Sequence, residues 1–209
     1  MIPSSLKRVL PLLLLLTVCC NHPIATDCFS IDQSLLQEGD LVFRLGRGTA
    51  SRVVNIADKE KSYSHVGLLV KDSTEEWYVV HAVPGEGEET GGRETIKYDP
   101  IARFFGHDRT VDGVVMRFDS IAEISNQIID KAQEFFRQQL LFDHDYSLSD
   151  SSTLYCTELV HRAFLCANID LSEDRRHSFP LFKEFIIFPS DILQNKRLHE
   201  VCKITFVQK

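Results

Sequence analysis

Apolar positions along this chain change their spacing several times, and each change marks an element. From residue 121 onwards Ile121, Ile124, Ile128, Ala132, Phe135 and Leu140 recur at helical spacing, and Ser120 with Glu123 makes a capping-box pair in front of them, so a long amphipathic helix is predicted. A second helix is expected where the small cap-forming run Asp150-Ser151-Ser152-Thr153 leads into an apolar-periodic stretch ending near Asn168. A shorter one, capped by Ser51 and running to about Asp58, carries Val53, Val54, Ile56 and Ala57. Residues 100–105 and the Ser190-Asp191 turn, which carries Ile192 and Leu193, should each add a single helical turn. Apolar runs bounded by turn residues predict strands at 41–44, 65–70, 77–83 and 114–118, with shorter ones at 95–98 and 201–207. The polar connection 71–76 is short enough to make 65–70 and 77–83 an antiparallel hairpin. Residues 84–92, with Glu86, Glu88 and Glu89, read as a solvated loop, and 142–152 as another polar loop. Strands grouped between helices predict an α+β domain around a mainly antiparallel sheet with flanking helices, and no internal repeat is visible.

Composition narrows this to one domain. The 209 residues are 44% apolar and 25% charged, close to an average globular chain and long enough for one sizeable core. Residues 1–20 stand apart: Lys7 and Arg8 precede an apolar run from 9 to 18, a secretory signal pattern too short to span a bilayer stably. The run ends at Cys19-Cys20, similar to a bacterial lipobox, although Val18 stands where a lipobox prefers a small residue. The expectation is an exported protein of the bacterial periplasm or envelope, with membrane attachment if Cys19 or Cys20 is lipidated. Residues 21–30 then read as a tether or ordered arm, and 31–209 as a single catalytic domain. The formal net charge of −7, more negative once Lys7 and Arg8 are removed, argues against a nucleic-acid partner. Of the six cysteines, Cys28, Cys156, Cys166 and Cys202 lie beyond the signal boundary without CxxC spacing, which argues against structural zinc; no disulfide is assigned.

Cys156 falls in the first turn of its helix, where free N–H groups and the helix dipole favour a thiolate, so it is a candidate nucleophile rather than only a core cysteine. Such a nucleophile needs a base, and the base an orienting group. Among the eight histidines, His65 and His81 each stand in an otherwise apolar strand segment of one hairpin, in positions expected to come together. A metal site built from these two and Cys156 has no accompanying carboxylate-rich pattern, so no metal or cofactor is assigned. Tyr155, Asp145 and Tyr146 lie close enough in sequence to the nucleophile to line a substrate site, while Glu158 reads as a solvated first-turn acid.

Five segments in order carry a resemblance: Gly39-Asp40-Leu41-Val42-Phe43, Ser64-His65-Val66-Gly67-Leu68, Val80-His81-Ala82, Tyr155-Cys156-Thr157-Glu158-Leu159-Val160 and Pro189-Ser190-Asp191. Together they resemble the circularly permuted papain-like enzymes of the YaeF/YiiX type, within the wider NlpC-type superfamily that also resembles lecithin retinol acyltransferases. The resemblance implies a permuted papain-like (NlpC-type) fold in which the histidine strand precedes the cysteine helix. It implies Cys156 as nucleophile, His65 as general base and then acid, and His81 as orienting residue, a variant of a position that is Glu in some members. The implied activity is that of a cysteine hydrolase cleaving an amide in a cell-wall peptide or N-acyl compound through a thioester. The same residues would also serve a lipid acyltransferase or thioesterase, and the fold alone a non-catalytic binding module. The partner expected is thus a small-molecule, peptide or lipid acyl substrate.

Overall fold

The computed structural model describes residues 24–25, 29–60, 62–85, 92–178 and 184–206. The signal-like segment with Cys19 and Cys20, Cys28, and the Glu86, Glu88 and Glu89 stretch lie outside the described residues.

Six strands form the central sheet: β1 (Leu41–Gly46), β2 (His65–Lys71), β3 (Trp77–His81), β4 (Lys97–Pro100), β5 (Thr110–Phe118) and β6 (Leu198–Lys203). Their spatial order is β6-β5-β1-β2-β3-β4, with every neighbouring pair antiparallel. Among the described residues five α-helices accompany them: α1 (Thr49–Ala57), α2 (Ile101–Phe104), α3 (Ile121–Arg137), α4 (Cys156–Leu165) and α5 (Pro189–Leu193). This is the expected α+β architecture with flanking helices. Short ladders complete it: Ile24–Ala25 and Thr205–Phe206 flank Phe29–Ile31, His177–Ser178 pairs with Phe185–Ile186, and Leu141–Phe142 runs parallel to Thr153–Leu154.

The central strands are buried on both faces, which is why they read as continuous apolar runs rather than alternating ones. On one face Leu41, Phe43, Val66, Leu68 and Val80 pack against Ile121, Ile128 and Ala132 of α3 and Leu159, Val160 and Phe164 of α4. On the other, Val42, Leu69, Val79 and Val115 meet Ile101, Phe104, Phe105, Phe29 and Ile31. Burying each large apolar side chain contributes about 1.5–3 kcal/mol, and Phe29, fully buried, is one of them.

Two caps differ from expectation. Ser120 sits in the left-handed region (φ 62°) and makes no side-chain cap, although α3 starts at the next residue; the packing of its apolar face positions the helix instead. Gly48, not Ser51, is the N-cap of α1. Ser51 Oγ accepts a hydrogen bond from Ser64 Oγ (2.8 Å), which in turn accepts from the Gly46 N–H (3.0 Å), tying α1 to the start of β2. A side chain at Gly46 would collide, since its Cβ would lie 2.0 Å from Ser51 Oγ. Among the described residues no helix is long and apolar enough to cross a membrane.

Candidate active site

Cys156 is the first residue of α4, following Tyr155 at the N-cap. This helix start is clamped to one backbone segment twice: Ile187 N–H donates to Tyr155 Oη (3.1 Å), and Thr157 Oγ1 donates to the Ile187 carbonyl (2.7 Å). The next residues anchor that segment in turn. Asp191 Oδ2 accepts the Phe188 N–H (2.7 Å), and Ser190 Oγ donates to Asp58 Oδ1 (2.7 Å) just beyond α1. The Pro189-Ser190-Asp191 motif thus holds α1, α5 and the head of α4 in one frame.

His65 opens β2 and His81 closes β3. Leu68 pairs with Val80, so Gly67 stands across from His81 and the histidines are diagonal neighbours rather than a facing pair. Gly67 makes the approach feasible, because a Cβ there would lie 2.4 Å from Val79 Cγ1 and 3.0 Å from His81 Cβ. His65 Nε2 and His81 Nδ1 are 2.9 Å apart, with the rings edge to face. His81 Nε2 then lies 3.3 Å from Asp99 Oδ2 on β4, and Arg103 Nε lies 3.5 Å from the same oxygen. Phe104 supports the pair: its ring stacks on His65 and meets His81 edge-on, while its carbonyl accepts from Arg44 Nη1 (2.6 Å).

Burial penalises ionisation of Asp99, but the His81 hydrogen bond and the charges of His81, Arg103 and Lys97 outweigh it and hold the carboxyl below its ordinary range. An ionised carboxylate only accepts, so His81 carries its proton on Nε2 and offers Nδ1 as acceptor. His65 must then carry its proton on Nε2, leaving its Nδ1 as the unprotonated nitrogen. Burial, aided by Arg44 and His81, pushes the His65 imidazole well below its ordinary value, so it is neutral at pH 7.

Burial also raises the Cys156 thiol, to about 11, despite the opposing pull of the Val66, Thr157 and Cys156 N–H groups and of Arg44. The helix-start position therefore does not deliver the resting thiolate expected from sequence; desolvation outweighs the dipole. Thiol and imidazole line one small cavity of about 40 Å³, together with Arg44, Ala82, Phe142 and Tyr146. A thiol and an imidazole on one cavity, the imidazole backed through His81 by a buried carboxylate, are the groups that nucleophilic catalysis draws on.

Of the residues expected to touch substrate, only Tyr146 lines this cavity, its phenol pushed up to about 12 mainly by burial and so a neutral donor. Tyr155 is 1% exposed and packs in the core, where its hydroxyl is engaged by Ile187; it is a fixing residue for α4 rather than a substrate contact. Asp145 is exposed and lines a separate polar cavity of about 480 Å³ with Asp143, Asp150 and Glu184. Glu158 is not solvated: it is buried, Arg162 donates to its Oε1 (2.7 Å), and desolvation raises its carboxyl to about 8. Cys156, Cys166 and Cys202 are free thiols. Sequence reasoning missed Asp99, Phe104 and Arg44; an acid within a strand, where acids are depleted, was the one signal for Asp99.

An antiparallel sheet whose histidine strand comes before the cysteine helix, with both side chains on one cavity, is a papain-like site in permuted chain order. The chain belongs to the permuted papain-like amidase enzymes of the YaeF/YiiX, C92 family, whose model matches residues 35–178, more than half of its length. Its fold is similar to the crystal structure of the metalloprotein yiiX from Escherichia coli O157:H7, with a TM-score of 0.64 and 21% identity over 80% of this chain and 97% of that one. A search of curated proteins gives no match. The metal is a property of yiiX. Here His65, His81 and Asp99 hydrogen-bond one another, and among the described residues no group of three or more His, Cys, Asp or Glu side chains could hold a metal ion.

Proposed function

We propose that this amidase-family chain is a cysteine hydrolase in which Cys156 attacks an amide carbonyl, with His65 as base and acid and His81 and Asp99 as the groups that orient it. The observation that carries the reading is the shared cavity of Cys156 and His65, whose imidazole heads a buried His–His–Asp chain. His65 Nδ1 takes the thiol proton as the sulfur–carbon bond forms, and the Cys156 backbone N–H faces the oxyanion at the helix start. The imidazolium returns its proton to the leaving nitrogen as the carbon–nitrogen bond breaks. Water, deprotonated by His65, then cleaves the thioester and restores the thiol.

The cavity beside the sulfur, about 40 Å³, is too small for a long acyl chain and adjoins an open, more polar groove with which it shares Arg44, Ala50 and Ser51, which favours a peptide-like or short N-acyl amide over a lipid. The apolar run after Lys7 and Arg8 supports export to an envelope compartment, with Cys19 or Cys20 as the residue that lipidation would use. Fractionation with radiolabelled palmitate tests this part: envelope recovery supports export, and incorporation lost in a Cys19→Ala, Cys20→Ala chain supports lipidation. For the chemistry, matched fluorogenic acyl-amide and acyl-ester panels are assayed on wild type and Cys156→Ala. Amide turnover that disappears in Cys156→Ala is expected; turnover that survives, or none on any substrate, overturns the reading.

A further inference from the structure

Tyr146 lines the Cys156 cavity in a backbone conformation that bulky residues rarely keep: its φ is 53°, in the left-handed region. Such a residue stays there only when its surroundings over-determine it. Asp143 supplies part of that constraint, its Oδ1 accepting the Asp145 N–H (2.8 Å) and its Oδ2 the Ser147 N–H (2.6 Å), on either side of Tyr146. The rest comes from α4. The Tyr146 ring lies against Tyr155, the N-cap of that helix, with centroids 5.2 Å apart. From the last turn of the same helix, Arg162 Nη2 donates to the Leu148 carbonyl (2.7 Å) and at longer range to that of Asp150 (3.3 Å). We infer that Arg162 is a positioning residue: it fastens the loop of Tyr146 to the helix of Cys156, so that phenol and thiol keep a set separation across the substrate cavity. The inference deepens the hydrolase reading and rests on it.

Three features carry it. First, Cys156 opens α4 and Arg162 lies within it, so the nucleophile and the loop anchor belong to one rigid element. Second, the guanidinium is aimed before the loop meets it. Arg162 Nε donates to Glu158 Oε1 (2.7 Å), an i,i+4 pair whose acid is fully buried, and that oxygen accepts whether or not the carboxyl carries a proton. Among the described residues Glu158 Oε2 has no hydrogen-bond partner, an unfavourable state for a buried carboxyl. Aiming Arg162 accounts for keeping the acid there. Third, the loop's other side-chain tie does not set the distance to sulfur: Ser147 and Ser149 donate to Glu184, but these contacts are exposed and Glu184 lies outside α4. A planar fork suits this task, since one guanidinium serves the carboxyl and both carbonyls at once, which a compact ammonium does not.

The test pairs a resonance with turnover. The full chain is made with 3-fluorotyrosine at its five tyrosines, and the Tyr146 and Tyr155 fluorine signals are assigned by their loss in Tyr146→Phe and Tyr155→Phe. In Arg162→Lys, which keeps the charge and loses the fork, the Tyr146 signal should move toward that of free N-acetyl-3-fluorotyrosinamide while the Tyr155 signal stays. Turnover of an acyl-amide by unlabelled protein should show the same link. Arg162→Lys should lower kcat/KM about five- to tenfold when Tyr146 is present, and less than twofold in a Tyr146→Phe chain. Should Glu158 left without its guanidinium cost the fold, the paired Glu158→Gln, Arg162→Gln chain removes the buried carboxyl as well and is read in the same way. A Tyr146 signal that does not move in a folded variant overturns the inference, as do equal losses of kcat/KM in both backgrounds, the mark of a merely structural role. Failure of the hydrolase reading would look different: no Cys156-dependent turnover in wild type, with the Tyr146 signal still answering to Arg162.

Discussion

Asp99→Asn tests the proton chain at the end farthest from the thiol. The amide is nearly isosteric with the carboxylate, so the strand and its neighbours should stay in place, but the anion that fixes the two histidine tautomers is gone. An Asn turned to donate to His81 Nε2 would force the His81 proton onto Nδ1, and the His65 proton onto its own Nδ1, the nitrogen proposed as the base. An Asn turned to accept keeps the tautomers and loses only the charge. A hydrogen bond to a charged group is worth about 1.5–3 kcal/mol, and the 3.3 Å separation in the resting state places this one toward the lower end. The expected loss in kcat/KM is therefore about 10- to 100-fold, carried by kcat rather than KM because Asp99 touches no substrate. The acid limb of the pH–rate profile should also move. In wild type its midpoint should lie below the ordinary imidazole value of 6.5, since burial, Arg44 and His81 depress His65. Losing the Asp99 anion disfavours imidazolium further and shifts the limb lower still. The assay is kcat and KM on an acyl-amide substrate across pH 4–9, with a thermal melt to confirm the fold. An Asp99→Asn protein that matches wild type within twofold at every pH would refute the relay.

Gly67→Ala places a methyl 2.4 Å from Val79 Cγ1 and 3.0 Å from His81 Cβ, so denaturant titration should show a loss of about 1–3 kcal/mol, with activity falling more than Asp99→Asn alone explains. Glu158 holds its proton up to about pH 8 in the folded chain against about 4.5 when exposed, so the fold binds the extra proton and wild-type melting temperature should fall as pH rises from 5 to 8, then level. Glu158→Gln should flatten that slope; an unchanged slope would assign it to other groups. The thiol, raised to about 11, predicts that alkylation of Cys156 by iodoacetamide keeps accelerating well above pH 9; a plateau reached by pH 7 would instead indicate a resting thiolate.

The two-faced strands and long helix were legible because burial imposes a period on the residues themselves: Leu41 to Phe43 and Ile121 to Phe135 carry their environment in their side chains. That His65 and His81 come together was legible for the opposite reason, as histidines in strand segments that otherwise call for apolar residues, and Cys156 at a helix start from the cap-forming run before it. Electrostatics was not. The same first turn that suggested a thiolate is desolvated by the chain packed over it, which depends on contacts with β2 and with residues far along the sequence. Glu158 and Tyr155 were misread in the same way: helix position was visible, but the cover supplied by Arg162 and Ile187 was not. Asp99 and Arg44 reach the histidines through strand pairing and the placement of Phe104, and beyond the oddity of an acid in a strand at Asp99 neither position carries a local pattern.

The central claim is that an acyl group passes through the Cys156 sulfur. Wild-type protein incubated briefly with an activated p-nitrophenyl acyl ester, acid-quenched and digested, should show the acyl mass on the Cys156 peptide as a hydroxylamine-sensitive thioester. The adduct should persist longer in His65→Ala, where water is not activated, and be absent in Cys156→Ala. An acyl adduct confined to another residue, or full turnover by Cys156→Ala, would contradict the account.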